Sequence, residues 1–367
     1  MFLLQALRIL KDALFAPRLT LHTRALLLCL QPITFLTYTI QWAVSRKFPH
    51  SAEIPIPLRR AGETVRAVVY LPPSYSLPSQ SQERRNKLPL HLNLHGGAFL
   101  GGLPEGNARF CHALAASGVV VVSSAYRYAP VHTFPDAHED ALDVAVYLVN
   151  NAERLWGADP ETLTVSGFSV GGNLALGVAQ LLSRQTQSEP NLEGRGIQVC
   201  GLVSFEGVVD FRLPPWCKPK PDGFPKYDPL SFLMHLFDTY AGPNRARDYH
   251  NSLLHPTLAD IRTLPRNMFF VVGGNDILLD ETEGFTGRLE GEARMINRVN
   301  GVEVHEEDGK VEPDGKTAVV RRFVAEGQIH GWTEMPSLAI NVELRTKAFN
   351  EAIDFLRAVH RVYGSSE

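Results

Sequence analysis

Ser169 lies within Gly167-Phe168-Ser169-Val170-Gly171, between the strand-like run Leu163 to Ser166 and a helix-compatible run from Gly172-Asn173-Leu174. Glycines two residues either side of a serine suit a sharp strand–turn–helix junction that exposes the hydroxyl. A serine hydroxyl is weakly nucleophilic and needs a histidine base oriented by a carboxylate. Asp276 follows the apolar run ending Val271-Val272-Gly273-Gly274, and His330 stands in Gln328-Ile329-His330-Gly331-Trp332. These two complete the chain order Ser, Asp, His that such a junction uses. Asp280 and Glu281 compete for the acid's place but fall where the next helix should begin. His255 and His305 compete for the base, in a Pro-flanked loop and a polar segment. Attack on a carbonyl also builds an oxyanion, which backbone N–H groups must meet. His95-Gly96-Gly97-Ala98-Phe99 can offer the amides of Gly96, Gly97 and Ala98, and Val170 the amide next to the nucleophile. Phe99, Phe168 and Trp332, adjoining these motifs, are the candidate walls of a substrate pocket.

Such residues must be delivered by strand ends, and the chain alternates strand-like and helix-like stretches, the pattern of an α/β fold with a largely parallel sheet. Thr64 to Tyr70, Leu88 to Leu94, Val119 to Val122, Cys200 to Phe205, Met268 to Val272 and Val319 to Val324 read as further strands. Four successive valines suit a strand buried on both faces. A helical stripe runs from Asp136 through Leu142, Val146 and Val149. Two stretches break the rhythm. One is proline-rich and aromatic, at about 212–250; the other is polar, at 287–316, where Gly301 and Gly309 suggest a hairpin.

With 36 Lys and Arg against 39 Asp and Glu, the net charge of −3 gives no electrostatic reason to expect nucleic acid. Four scattered cysteines make neither a disulfide scaffold nor a CxxC zinc site, and no histidine cluster has metal-ligand spacing. No metal or organic cofactor is expected, and the sequence does not fix an oligomeric state.

From about Leu88 to Tyr363 the chain resembles the hormone-sensitive-lipase family of α/β-hydrolases, which includes microbial esterases and plant carboxylesterases. The resemblance rests on His95-Gly96-Gly97, Tyr126-Arg127-Tyr128-Ala129-Pro130, Phe134-Pro135-Asp136-Ala137, Asp159-Pro160, the Ser169 motif, the Asp276 segment and His330-Gly331, in that order. Phe168 stands where the family usually has Asp, Val170 where it has Ala, and Ala98 where it has a third Gly. The resemblance implies an α/β-hydrolase fold: a mostly parallel eight-stranded sheet flanked by helices, with a helical cap. Residues 1–50 and about 212–250 would form that cap, on a catalytic domain of 51–367. It also implies a serine carboxylic-ester hydrolase for a small or medium hydrophobic ester, working through an acyl-enzyme. Acyl transfer, amide cleavage or a non-hydrolytic biosynthetic step on the same triad are the alternatives. A non-catalytic ligand receptor is a more remote one: related plant receptors keep the scaffold but lose the triad, whose three positions are all filled here.

The first 45 residues are far more apolar than the rest. Ala25 to Ser45 carries no charge and is long enough to span a bilayer. Gln31, Pro32, Thr34, Thr37, Thr39 and Gln41 make it a poor hydrocarbon match, and no short apolar core leads to a cleavage site. A cap over the pocket is favoured over a membrane anchor, with membrane contact through residues 1–45 left open. The expected location is intracellular, either cytoplasmic or peripheral to a membrane, with a single-pass anchor as the alternative.

Overall fold

The computed structural model describes residues 7–17, 19–75, 87–188, 198–226, 231–302, 306–307 and 310–364. His305 and Gly309 lie outside them. Ten strands are found among the described residues: β1 (Ala52–Pro57), β2 (Thr64–Tyr70), β3 (Leu88–Leu94), β4 (Val120–Ser124), β5 (Ala158–Phe168), β6 (Gly201–Phe205), β7 (Asn267–Gly273), β8 (Glu306–Glu307), β9 (Lys310–Val311) and β10 (Val319–Ala325). Eight form one sheet in the order β1-β2-β4-β3-β5-β6-β7-β10, antiparallel at β1, β2 and β4 and parallel from β4 onward. The helices are α1 (Arg8–Phe15), α2 (Leu21–Ser45), α3 (Ala108–Ala116), α4 (Asp136–Trp156), α5 (Val170–Ser188), α6 (Met234–Phe237), α7 (Leu279–Val299) and α8 (Val342–Tyr363).

The strand pleat divides the core in two. Val120, Val122 and Leu202 face a layer that includes Val144 and Leu148 of α4 and Leu174 and Val178 of α5. Val121, Val203 and Phe205 face Phe110 and Leu114 of α3 and Phe355 and Leu356 of α8. Strands β4, β6 and β7 are buried throughout, which explains their unbroken apolar runs.

Two elements differ from the sequence expectation. Residues 52–57, not among the strands expected from the sequence, form β1 despite Pro55 and Pro57, because β1 is an edge strand where a missing N–H costs little. The hairpin expected over 287–316 shrinks to the two-residue strands β8 and β9, since 287–299 belongs to α7. There Thr282, Phe285, Thr286, Leu289, Ala293 and Asn297 bury one face at helical spacing. Packing of that face outweighs the helix penalty of Gly284, Gly287 and Gly291, about 1 kcal/mol each.

The proline-rich stretch holds α6 and several single-turn helices. Its Tyr240 stacks on Phe99 with ring centroids 3.7 Å apart, and His235 meets His22 of α2 edge-on at 5.7 Å. The insertion and the N-terminal helices are therefore in contact. On α2 the inward residues Leu27, Leu30, Thr34 and Tyr38 are buried. Leu21, Leu28, Phe35, Leu36 and Trp42 are exposed on its outside.

Candidate active site

Ser169 stands between β5 and α5 with φ of +52°, a conformation that costs a side-chain-bearing residue about 1–3 kcal/mol. Packing holds it there. A Cβ on Gly167 would overlap the Gly171 carbonyl, and one on Gly171 would overlap the Leu94 carbonyl at the end of β3. The Ser169 N–H donates to Phe205 O at 2.8 Å, tying the turn to β6.

Asp276 follows β7 and is fully buried. Its Oδ1 accepts the Leu278 N–H at 2.8 Å, and the neighbouring Asn275 N–H donates to Gln328 O at 2.9 Å. That second bond joins the Asp276 loop to the loop after β10, which carries His330. His330 Nδ1 lies 3.1 and 3.0 Å from the two Asp276 oxygens, and its Nε2 lies 2.9 Å from Ser169 Oγ. The structure thus brings the three residues into one relay. The competitors are spent elsewhere. Glu281 pairs with Lys218 and accepts the Val209 N–H. Asp280 lies in the first turn of α7, and buried His255 accepts the Phe211 N–H at 3.1 Å.

The turn after β3 carries three consecutive positive φ values, +118° at Gly97, +54° at Ala98 and +59° at Phe99. Among the described residues the amides of Gly96, Gly97 and Ala98 donate to no protein acceptor, nor does that of Val170 at the start of α5. Such amides are what an oxyanion needs. Tyr126 Oη donates to His95 O at 2.9 Å. The His95 ring lies 2.6 Å from Gly96 O and stacks on Tyr126. Burial lowers the His95 pKa to about 4, so this imidazole is a neutral strut. From the N-terminal side, Tyr38 Oη accepts the Gly102 N–H at 2.6 Å and Arg8 donates to Leu100 O. The two terminal helices therefore grip the same turn.

Phe99, Phe168 and Trp332 have at most 1 % exposure and are core residues rather than pocket walls. The pleat sends Phe168 and its register partner Phe205 to one face, where they stack at 4.4 Å beside Phe110 and Phe349. Trp332 belongs to that same cluster, while Phe99 is covered by Tyr240.

Two acids escaped the sequence reading. Glu206 directly follows β6 with φ of +53° and is 2 % exposed. Its Oε2 accepts the Gly331 N–H, and Oε1 accepts the Thr333 N–H at 3.3 Å. Glu334 Oε1 accepts from Asn107 Nδ2 at 2.9 Å, while a Cβ on Gly96 would come 2.9 Å from Oε2. Burial pushes the Glu206 carboxyl well up, against the pull of His330 and with help from Asp276 and Glu334. Burial likewise pushes Glu334 up to about 7, opposed by Asn107 and His330. Burial also disfavours the His330 cation, but Asp276 first, then Glu206 and Glu334, outweigh it and raise the imidazole to about 9. No signal in the sequence singled out either glutamate.

Glu206, Asp276 and His330 place ligand-capable atoms within 4.8 Å of one another. His330 Nδ1 is committed to Asp276 and the Glu206 oxygens to backbone amides, so the set fits a hydrogen-bonded relay better than a metal cage.

A profile of the α/β-hydrolase fold matches residues 91–310, and the chain belongs to that family, in its hormone-sensitive-lipase-like branch. It is 42 % identical over 104 residues to an ethyl acetate hydrolase of Pseudomonas putida, covering 28 % of this chain and 32 % of the relative. It is 33 % identical over 127 residues to a versiconal hemiacetal acetate esterase of Dothistroma septosporum, covering 34 % of this chain and 38 % of the relative. The match thus spans only about a third of the length of either curated protein. The hyperthermophilic esterase of the archaeon Pyrobaculum calidifontis superposes with a TM-score of 0.64 at 25 % identity, covering 97 % of this chain and 98 % of that one.

Proposed function

We propose that the protein is a serine carboxylic-ester hydrolase in which Ser169 is the nucleophile, His330 the base and Asp276 its orienting acid. The observation that carries this reading is the continuous relay from Ser169 Oγ through His330 to buried Asp276, opening beside uncommitted amides. His330 Nε2 takes the hydroxyl proton as Oγ bonds to the ester carbonyl carbon, and the carbonyl π pair moves onto oxygen. The amides of Gly96, Gly97, Ala98 and Val170 meet that oxyanion. When the tetrahedral intermediate collapses, the C–O bond to the alcohol breaks and His330 returns the proton to the leaving oxygen. Water, deprotonated by the same imidazole, then releases the acid. A small or medium hydrophobic ester is the proposed substrate, and the two relatives named for acetate esters support a short acyl group. Ser169→Ala should abolish turnover of p-nitrophenyl acetate and butyrate, and abolish labelling by a fluorophosphonate, with an unchanged circular-dichroism melt. Turnover persisting in that variant would refute the assignment. An added alcohol or amine that diverts the acyl group from water would instead show a transferase.

For the N-terminal helices we propose peripheral contact with an anionic lipid surface. Leu21, Leu28, Phe35 and Trp42 recur at seven-residue spacing on the outer face of α2, and all are at least 44 % exposed. Residues 13–52 contain no Asp or Glu but include Arg24, Arg46 and Lys47, against a net charge of −3 for the whole chain. Helix α2 is long and apolar enough to cross a membrane, but the packing of its inner face and the Tyr38 contact with the Gly102 amide favour peripheral contact over a span. Full-length protein should co-sediment with phosphatidylcholine vesicles containing a third phosphatidylserine, and Phe35→Ser/Trp42→Ser should release it. Equal recovery of both proteins in the supernatant, or a dimer lost in the double variant, would overturn this.

A further inference from the structure

Ser169 and Glu206 occupy equivalent places in adjacent parallel strands. Phe168 pairs with Phe205 in the ladder, and the next residue in each strand adopts positive φ, +52° and +53°. Each of these residues also donates its N–H to the neighbouring strand, Ser169 to Phe205 O and Glu206 to Val271 O. One strained turn presents the hydroxyl. The other presents a carboxyl group, buried at 2 % exposure, beneath the His330 loop. A non-glycine residue at positive φ persists only where its surroundings over-determine it. For Glu206 those surroundings are the amides of Gly331 and Thr333, the first and third residues after His330.

We infer that Glu206 is a positioning residue for His330, a second carboxylate that fixes the histidine loop and sets the acid limb of the pH–rate profile. The inference rests on the hydrolase reading above. Asp276 holds the imidazole ring at Nδ1, whereas Glu206 holds the backbone on which the ring is mounted. Glu206, Asp276 and His330 present atoms within 4.8 Å of one another, so Glu206 acts on the ring through space as well. The ionisable groups facing His330 are Asp276 on the β7 loop, Glu206 on the β6 turn and Glu334 on its own loop. All are acids, and each favours imidazolium.

That has two opposite consequences. Once Glu206 is ionised, which its burial delays to alkaline pH, the transition-state imidazolium is stabilised by two flanking carboxylates in place of one. In the resting enzyme the same field keeps His330 protonated to higher pH, and a protonated imidazole cannot take the Ser169 proton. Glu206 itself exchanges no proton with substrate. Removing its charge should lower the pH at which His330 becomes a competent base and also lower the maximal rate, a combination that simple loosening of the loop does not produce.

The test compares wild type with Glu206→Gln and Glu206→Asp in the full chain, reading kcat/KM for p-nitrophenyl butyrate from pH 5.5 to 10. Glu206→Gln should shift the acid limb down by about one pH unit and lower kcat at the plateau about tenfold. Glu206→Asp, which keeps the charge but reaches less far, should lose rate and keep the limb within a few tenths of a unit of wild type. The pH dependence of fluorophosphonate labelling should move in parallel and needs no turnover, so poorly active variants remain measurable. A Glu206→Gln limb that coincides with wild type while labelling persists overturns the inference and leaves the hydrolase reading standing. Failure of wild type to label or turn over fails the hydrolase reading instead. If Glu206→Gln melts before assay temperature, Glu206→Asp decides: an acid limb displaced as far as one unit refutes the charge-based role.

Discussion

The turns that end β5 and β6 are neighbours with nearly identical backbone strain and very different visibility. At Ser169 the strain is imposed from both sides by close backbone approach, so glycine is compulsory at positions 167 and 171. At Glu206 the neighbour Gly207 would place a Cβ against the Ser204 hydroxyl, a side chain able to rotate away. The first turn is enforced by unmovable carbonyls. The second is held mainly by what its own side chain binds, the Gly331 and Thr333 amides. A nucleophile turn therefore writes a pattern into the sequence, and a supporting turn writes only one residue.

Substitutions can break that contrast. The largest expected effect, on turnover and stability together, is at Gly171. Gly171→Ala drives a methyl into the Leu94 carbonyl, so β3 and the start of α5 must separate. We expect loss of at least a thousandfold in kcat/KM and a fall in melting temperature of several degrees, both readable on purified protein. Gly207→Ala should cost turnover about tenfold or less, because the Ser204 hydroxyl can turn and Gly172 Cα, 3.3 Å from the new methyl, need give only by a few tenths of an ångström. If the two variants behave alike, the distinction between an enforced turn and a side-chain-held turn is wrong.

Next in size is Asp276→Asn. The amide keeps the shape but can present its NH2 to His330 Nδ1, favouring the wrong tautomer, and a loss of roughly 10⁴-fold in kcat is expected. The melt should fall at neutral pH, since the amide oxygen can still accept the Leu278 N–H but no longer balances the His330 cation. A loss below tenfold would mean that Glu206 substitutes for Asp276 as the orienting acid. The ring-holding and loop-holding carboxylates would then be interchangeable rather than distinct.

The pH profile sharpens the same comparison with no mutation at all. His330 is active as the neutral imidazole, and its pKa is raised to about 9 by Asp276, Glu206 and Glu334 against the opposing effect of burial. Activity should therefore climb as pH rises through neutrality and level off only near pH 9. The stability that the cation draws from Asp276 runs the other way: it is complete below about 6.5 and is lost as pH rises through about 9. Optimal turnover and optimal stability should fall on opposite sides of neutrality. A kcat/KM plateau already reached at pH 6.5 would contradict that field of three acids.

The parallel strands were readable from their apolar runs, and Ser169, Asp276 and His330 from residue type, glycine spacing and chain order. Other features resisted for identifiable reasons. Strand β1 hides behind Pro55 and Pro57, because an edge tolerates what an interior strand would not. The C-terminal part of α7 hides behind glycines whose cost is met by burial of Leu289 and Ala293. Phe168 looked like a pocket wall because it adjoins the nucleophile in sequence, yet the pleat sends it into the core with Phe205. Glu206 and Glu334 are unremarkable as letters. Their meaning arises from burial beside His330, which depends on long-range packing of β6, β7 and β10.

The smallest effect concerns the support that comes from farthest away in the chain. Tyr38 reaches 64 residues forward to accept the Gly102 N–H, and Arg8 reaches 92 residues to Leu100 O, both on the turn that carries the candidate oxyanion amides. This is a third mode of support, neither an enforcing backbone nor a buried carboxylate. Tyr38→Phe removes one acceptor and leaves the ring in place, so about 0.5–1.5 kcal/mol is at stake. Gly97, Ala98 and Phe99 stay constrained by the Leu100 N–H bond to Gly97 O and the Ala129 N–H bond to Phe99 O. We therefore expect kcat to fall only two- to fivefold, with KM nearly unchanged because the amides act on the developing oxyanion rather than on bound ester. A rise in KM at constant kcat would place Tyr38 against the substrate, and the N-terminal helices would then be part of the pocket rather than a clamp on the oxyanion turn.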